Sequence, residues 1–204
     1  IRNVLERSSA RETASRVAAG AVCRKLLARF GVEILSFSQS IGEVDIGFET
    51  VDAATVTSEE IETSVVRCPD SVASERMVEA IDEAGDRGDT LGGTFRVVAR
   101  GLPPGLGSYV HWDRKLDARL AMAMVSINAV KGVDFGAGFD GAHRPGSQFH
   151  DEIEHAAGRY RHLSNRAGGI PGGMTNGEPP DLRVALKPND RKGPRLNSSP
   201  AKYS

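Results

Sequence analysis

Apolar residues recur at helical spacing in three stretches of the chain. The first runs from Ser9 to Phe30, and Gly31 stands where a left-handed residue commonly ends a helix. The second, "SVASERMVEAIDEAGDRGD", follows the break and cap Pro69-Asp70-Ser71 and should turn Met77, Val78 and Ile81 inward. The third spans Leu116 to Gly132. The spacing predicts three helices.

Three other stretches have the pattern of β-strands. "VEILSFSQSIGEV" (Val32 to Val44) alternates in part, "GTFRVVARGLP" ends at Pro103-Pro104, and "DLRVALKP" follows a glycine-rich region. The segment before Arg67 mixes Thr, Glu and Asp with Val and Ile, which predicts an irregular or edge-strand region. Strands and helices alternate across long glycine-rich connections, so we expect a layered α/β or α+β domain.

Composition narrows the class of protein. The net charge of -1 argues against a general nucleic-acid or membrane-surface binder. No apolar run approaches the roughly 20 residues that span a bilayer, and the first residues have no apolar core of a signal peptide. Cys23 and Cys68 are interpreted as reduced thiols of a cytoplasmic protein.

The stretch "RSSARET" at the start of the first helix has two readings. Ser9 and Glu12 fit a capping box, which needs no ligand. Arg7 and Arg11 are disfavoured at the positive end of a helix, so their presence suggests a compensating anion. The residues themselves leave both an anion site and a plain surface cap open.

Glycine-rich stretches and histidines provide weaker signals. "NRAGGIPGGMTNGEPP" (Asn165 to Pro180) could approach a flat ligand or form mobile turns, and it lacks nucleotide-motif spacing. "GDTLGGTF" and "GLPPGLGS" are more typical of turns. In "HDEIEH", His150 and His155 are five residues apart and would diverge on a helix. We therefore predict no metal site.

Taken together, several stretches resemble the chorismate synthase family in order across residues 1–188. They are "RSSARETASRVAAGAV", "GDTLGGTFRVVARGLPPGLGS", "LDARLAMAMVSINAVKGVDFGAGF", "GSQFHDEI" and "SNRAGGIPGGMTNGEPPDLRVALKP". The resemblance implies an α+β fold, a truncated β-α-β sandwich. It also implies that residues 1–188 are the central part of a single catalytic domain. Residues 189–204, rich in Pro, Ser and Lys, are expected to be a disordered tail outside the family pattern.

The resemblance also implies a function. The family consists of lyases of the shikimate pathway, which leads to the aromatic amino acids. They eliminate phosphate from 5-enolpyruvylshikimate 3-phosphate by an anti-1,4 elimination that yields chorismate. The family requires reduced FMN, with NADPH as a candidate reductant, and usually assembles as a cytoplasmic homotetramer. No nucleic-acid or membrane partner is expected.

Site residues follow from the resemblance alone. It assigns flavin contacts to four regions of the chain and substrate contacts to Ser9 and Arg11. The flavin contacts are Arg7, Ser8, Ser9, Asn128, Ala129, Gly172, Lys187 and Pro188.

The sequence also departs from the family pattern. It contains no "GESHG", "RPGHAD" or "RSDxC" stretch, which carry the family's catalytic histidines, several substrate arginines and the catalytic aspartate. After Lys187-Pro188 it continues as "NDRKGPRLNSS" rather than as a Ser/Thr-containing flavin loop. We therefore expect no catalytic residue in these 204 residues and, by themselves, no turnover. The alternative is a flavin- or anion-binding or assembly module without activity of its own.

Overall fold

The computed structural model describes residues 10–156 and 158–189, which form helices around one main sheet. The helices are α1 (Ala10–Ala28), α2 (Ser58–Glu62), α3 (Ser71–Asp86), α4 (Leu116–Val125), α5 (Gly138–Gly141) and α6 (Gly146–Phe149), with a 3₁₀ turn at Pro171–Gly173. The strands are β1 (Glu33–Ile41), β2 (Val44–Asp45), β3 (Gly93–Arg100), β4 (Val130–Phe135), β5 (Ile153–Ala156), β6 (Arg159–His162) and β7 (Asp181–Leu186).

The main sheet has five antiparallel strands in the order β2-β1-β3-β7-β4. The predicted strand from Val32 to Val44 is divided, because Gly42 adopts a φ of 57° and the chain turns back so that Ile41 pairs with Val44. The two other predicted strands are present as β3 and β7, each shorter at its proline-containing end.

The prediction of a helix from Leu116 to Gly132 was wrong in its second half. Helix α4 ends at Val125, and β4 follows and pairs with β7, with Val133 opposite Val184. The polar stretch around His150 to Arg161, for which no element was predicted, contributes strands β5 and β6, which pair with Glu154 opposite Arg161. The error at β4 arises because pairing with β7 overrides the local helical spacing.

The core lies between the sheet and the segment that contains α2 and α3. Phe37 of β1 and Val98 of β3 are buried together with Ile61 of α2. Met77 of α3 is completely buried, as predicted, whereas Ile81 is 42% exposed and was wrongly expected to point inward. Asp70 caps α3 as expected, since its carboxylate accepts a hydrogen bond of 2.8 Å from the Ala73 amide.

Two arginines of β3 fasten the loop between β2 and α2 to the sheet. Arg96 is 1% exposed, pairs with Asp181 of β7, and donates hydrogen bonds to the carbonyls of Phe48 and Val51. Arg100, four residues further along β3, donates to two more carbonyls of the loop, those of residues 53 and 56. These bonds replace regular pairing in a loop that has no strand of its own.

Helices α1 and α4 pack more loosely against the sheet than α3 does. Val17, Val22 and Leu26 of α1 are more than 60% exposed, and α4 contributes no buried residue. None of the helices among the described residues has the length and apolar character needed to cross a membrane.

Candidate functional site

A cavity of about 520 Å³ opens at one end of the main sheet. Its apolar wall includes Ile81 of α3, Leu91 and Phe95. Its polar lining includes Ser40 of β1 and Lys187, which follows β7. A mostly apolar cavity of this size with a few polar groups is typical of a site for a small ligand.

Ala129, one of the predicted flavin contacts, lines this cavity in a strained backbone conformation. It lies between the end of α4 and the start of β4 and has a φ of 72°, which is uncommon for a residue with a side chain. Its carbonyl accepts a hydrogen bond of 3.0 Å from the Lys187 amide. Strain of this kind is concentrated at functional sites. The strained turn joins two of the predicted contacts directly.

Lys187 and Pro188 leave β7 along the rim of the same cavity. The Lys187 ammonium donates to the Pro188 carbonyl at 3.1 Å, and the side chain is exposed. An ammonium group has three donors, so this bond leaves capacity for a ligand. The chain passes so close to Gly92 that a Cβ there would lie 2.6 Å from the Leu186 carbonyl oxygen.

The predicted contacts at the chain start fall outside what the structure describes. Arg7, Ser8 and Ser9 lie outside the described residues, and of Arg11 only the backbone, within α1, is described. Within α1, Glu12 accepts a hydrogen bond of 2.8 Å from Arg16, which also donates to the Ser126 hydroxyl at 2.6 Å. The first turns of α1 therefore lie beside the end of α4, near Asn128 and Ala129.

Gly172 lies at the other end of α4 from these residues. It belongs to the 3₁₀ turn, and a Cβ on its neighbour Gly173 would lie 2.6 Å from Cγ of Lys115, which precedes α4. A ten-residue helix is about 15 Å long. The structure therefore brings Ala129, Lys187 and Pro188 together and leaves Gly172 apart from them.

Polar residues of the glycine-rich stretch are used within the fold. The Thr175 hydroxyl donates to the Pro103 carbonyl at 2.6 Å and accepts from the Leu106 amide at 2.9 Å. The Asn165 amide donates to the Pro179 carbonyl at 2.8 Å. The Thr175 bonds hold the neighbouring loop from residue 103 to 108 in place, and the Asn165 bond closes the stretch on itself. Both support the turn interpretation for this part of the stretch.

A second, polar cavity of about 470 Å³ lies near α6 and is lined by Arg144 and Arg166. Glu49 lies 2.7 Å from Arg144 and 3.7 Å from Arg166. The hydrogen bond and positive charge of Arg144 lower the pKa of the Glu49 carboxyl. A single carboxylate therefore lies beside the two guanidiniums, and it is paired most closely with Arg144. Among the described residues, no group of His, Cys, Asp and Glu has the arrangement of a metal site.

The sequence did not indicate that the loop from residue 89 to 92 contributes to the first cavity. "GDTLGG" had only the features of a turn, yet Asp89, Thr90, Leu91 and Gly92 all line the first cavity. This loop lies close to Lys187 because Gly93 pairs with Leu186, and these two residues are far apart in the chain. The only local signal was the pair of adjacent glycines.

The antiparallel sheet and its helices define an α+β domain with a cavity at one end that is large enough for a small ligand. The family model for chorismate synthase matches residues 1–193. The chain therefore belongs to the chorismate synthase family, and the predicted membership is confirmed.

Curated relatives and a solved structure agree with this assignment. The chain is 56% identical over 190 residues to chorismate synthase of Desulforudis audaxviator and 55% identical over 193 residues to that of Symbiobacterium thermophilum. Each match covers 92% of this chain and 48% of the relative, so the chain spans about half the length of these relatives. A crystal structure of chorismate synthase matches with a TM-score of 0.83 and 47% identity, over 92% of this chain and 58% of that one. The match confirms the predicted fold class.

Proposed function

We propose that this chain supplies a flavin-binding part of a chorismate synthase. The activity is the elimination of phosphate from 5-enolpyruvylshikimate 3-phosphate to give chorismate, with reduced FMN as cofactor and NADPH as a candidate reductant. A cytoplasmic location and a homotetramer belong to the same proposal. The observation that carries it is the meeting of Ala129 and Lys187, two family flavin contacts, at one cavity.

The residues at the cavity fit a flavin in chemical character. A fused aromatic ring system needs a flat apolar surface, which Leu91, Phe95 and Ile81 provide. A phosphate group needs a cation with free donors, which the Lys187 ammonium provides at the rim. Asn128, Ala129 and Pro188 would complete the contacts, and Gly172 would reach the cofactor only from the far end of α4.

Each part of the chain has a distinct task in this proposal. When bound, the reduced flavin supplies transient electron density to the elimination. The apolar wall excludes water, and the strained turn at Ala129 fixes the path of the backbone beside the ligand. By the family resemblance, Arg7, Ser8 and Ser9 enter as further flavin contacts, and Ser9 and Arg11 as substrate contacts. The bond from Arg16 of α1 to Ser126 at the end of α4 supports a place for this helix near the cavity.

An equilibrium titration with FMN and with riboflavin, which lacks the phosphate, tests the proposal. We expect the chain to bind FMN more tightly than riboflavin. Lys187→Met should reduce that preference by about tenfold, the effect expected for loss of one charge-assisted hydrogen bond. Lys25→Met, which removes a lysine of α1, should leave the preference unchanged. Equal binding of FMN by the unaltered chain and by Lys187→Met would contradict the assignment of the lysine.

Turnover is a separate measurement. Because the 204 residues contain none of the three catalytic stretches of the family, we expect no chorismate from this chain under anaerobic conditions with reduced FMN. Chorismate formation above the level of a blank would show that a catalytic proton donor exists within these residues. It would also remove the module without activity as an alternative.

A further inference from the structure

We propose that Thr90 is a positioning residue that holds the segment from Lys187 to Asn189 against the cavity, and so sets the affinity for the phosphate-bearing cofactor. The proposal rests on the flavin site proposed above and adds a residue to it. Thr90 lines the cavity, and its hydroxyl donates to the Asn189 carbonyl at 2.5 Å.

The segment needs such support because regular pairing stops before it. The ladders of β7 with β3 and with β4 both end at Leu186. On one side, the Lys187 amide then bonds to the Ala129 carbonyl at 3.0 Å. On the other side, the segment lies against Thr90. Lys187 is therefore held between the strained turn after α4 and the loop after α3.

The loop that carries Thr90 is itself fixed to α3. The Asp89 amide donates to the Ala84 carbonyl at 2.8 Å, and the Thr90 amide donates to the Asp89 carboxylate at 2.9 Å. Ala84 is 2% exposed, so this end of the series is anchored in the core. The hydrogen bonds thus connect the buried end of α3 at Ala84 to the backbone that presents the Lys187 ammonium.

Gly92 allows the loop and the segment to lie this close together. A Cβ at Gly92 would lie 2.9 Å from Cδ of Pro188, in addition to its collision with the Leu186 carbonyl oxygen. The loop is therefore shaped for contact with the segment. The Thr90 bond makes that contact directional.

The Thr90 bond lowers the conformational entropy that is lost when a ligand binds Lys187. A lysine side chain has considerable rotamer freedom, and a ligand that binds it must also order any mobile backbone beneath it. Fixing the backbone in advance removes part of this cost. Loss of the Thr90 hydroxyl should therefore weaken the binding of a ligand that contacts Lys187. It should leave the binding of a ligand without that contact unchanged.

The test compares Thr90→Val, which removes the hydroxyl at similar volume, with Thr90→Ser, which keeps it. We expect Thr90→Val to weaken FMN binding about five- to tenfold, as for loss of one neutral hydrogen bond, and Thr90→Ser to remain near the unaltered chain. Thr63→Val is a matched control, since the Thr63 hydroxyl also donates to a carbonyl, that of Glu60 at 2.8 Å, on the exposed end of α2. It should bind FMN normally.

A double-mutant cycle separates positioning from general loss of structure. If Thr90 acts through Lys187, Thr90→Val should have almost no effect on FMN binding in a Lys187→Met background. An undiminished effect in that background would overturn the proposal, as would normal FMN binding by Thr90→Val.

Amide hydrogen exchange tests the same idea without flavin. Thr90→Val should speed exchange at the Lys187 amide, while the amides of β3 remain protected. If the unaltered chain binds no FMN, the proposed function fails, and faster exchange would still support the positioning role. Unchanged exchange at Lys187 would refute the role whatever the flavin result.

Discussion

Apolar side chains are buried in the region around α3, which includes α2, and are largely exposed on helices α1 and α4. Ile61 of α2 and Met77 of α3 are 1% and 0% exposed, whereas Leu26 of α1 and Met122 of α4 are 61% and 70% exposed. The first region is closed by buried side chains and by arginines that bond to loop carbonyls. Helices α1 and α4 leave large apolar side chains exposed instead.

The difference shows where most of the stability of this chain is located. Burial of apolar side chains is the main stabilising term, so most of the free energy of folding should come from the region around α3. The cavity has one wall in that region and another at the end of α4. The backbone at Ala129, where we propose that the flavin binds, can therefore change without loss of the core.

The largest effect should come from Arg96→Met. This change leaves Asp181 buried without its partner and frees the carbonyls of Phe48 and Val51, so we expect a loss of about 3–5 kcal/mol in the free energy of unfolding. Urea denaturation followed by circular dichroism measures it. Arg24→Met is the control from α1. The Arg24 guanidinium donates an exposed hydrogen bond of 2.9 Å to the Ile34 carbonyl.

The matched double change distinguishes a broken ion pair from lost volume. Arg96→Met combined with Asp181→Leu should recover part of the loss, because no uncompensated charge stays buried. A loss for Arg96→Met as small as that for Arg24→Met would contradict the contrast between the two regions.

Truncation of one aliphatic side chain in each region compares them directly. Ile61→Ala should cost about 2–4 kcal/mol, because it leaves a cavity in the core. Leu26→Ala should change the free energy of unfolding by less than about 0.5 kcal/mol, because the side chain is already exposed. Similar costs in thermal or urea unfolding would show that α1 is packed more tightly than its exposure indicates.

A gain rather than a loss is expected in the middle of α1. Gly20 lies within the helix, and a Cβ there would meet no atom within 4 Å. Gly20→Ala should therefore raise the free energy of unfolding by about 0.5–1 kcal/mol through helix propensity. Gly42→Ala, at a φ of 57° and 3.3 Å from Leu91, should lower it. Destabilisation by Gly20→Ala would reveal an unexpected contact of α1.

The smallest effect concerns Glu49, which lies in the loop between β2 and α2 and pairs with Arg144. Its lowered pKa means that the ionised carboxylate stabilises the fold above the unfolded pKa of about 4.3, and that this contribution is lost as the pH falls through the folded value. Glu49→Gln should cost less than about 1 kcal/mol at pH 7, and less still at low pH. A difference between the two proteins that grows on acidification would have the wrong sign.

Much of the fold could be predicted from local patterns. Helix α3 and its Asp70 cap followed from spacing and turn chemistry, and three predicted strands contain β1, β3 and β7. Strand β4 could not be recognised, because "AVKGVDF" follows a helical run and becomes a strand only through its pairing with β7.

The candidate site was predictable in part. Ala129 and Lys187 came from the family resemblance, and their contact at 3.0 Å joins two of the assigned regions. Thr90 was not predictable, since its bond to Asn189 spans 99 positions. The Arg96–Asp181 pair likewise joins residues 85 positions apart, and an arginine in a strand has no local feature that marks it as buried.

The central claim is that the cavity between α3, the end of α4 and the end of β7 is where the flavin binds. Two-dimensional NMR of the 204-residue chain during titration with FMN tests this most directly. The account predicts saturable shifts of the amides of Leu91, Gly92, Ala129 and Lys187, with little change at Ile61. Shifts confined to the polar cavity near Arg144, or no shifts at saturating FMN, would contradict it.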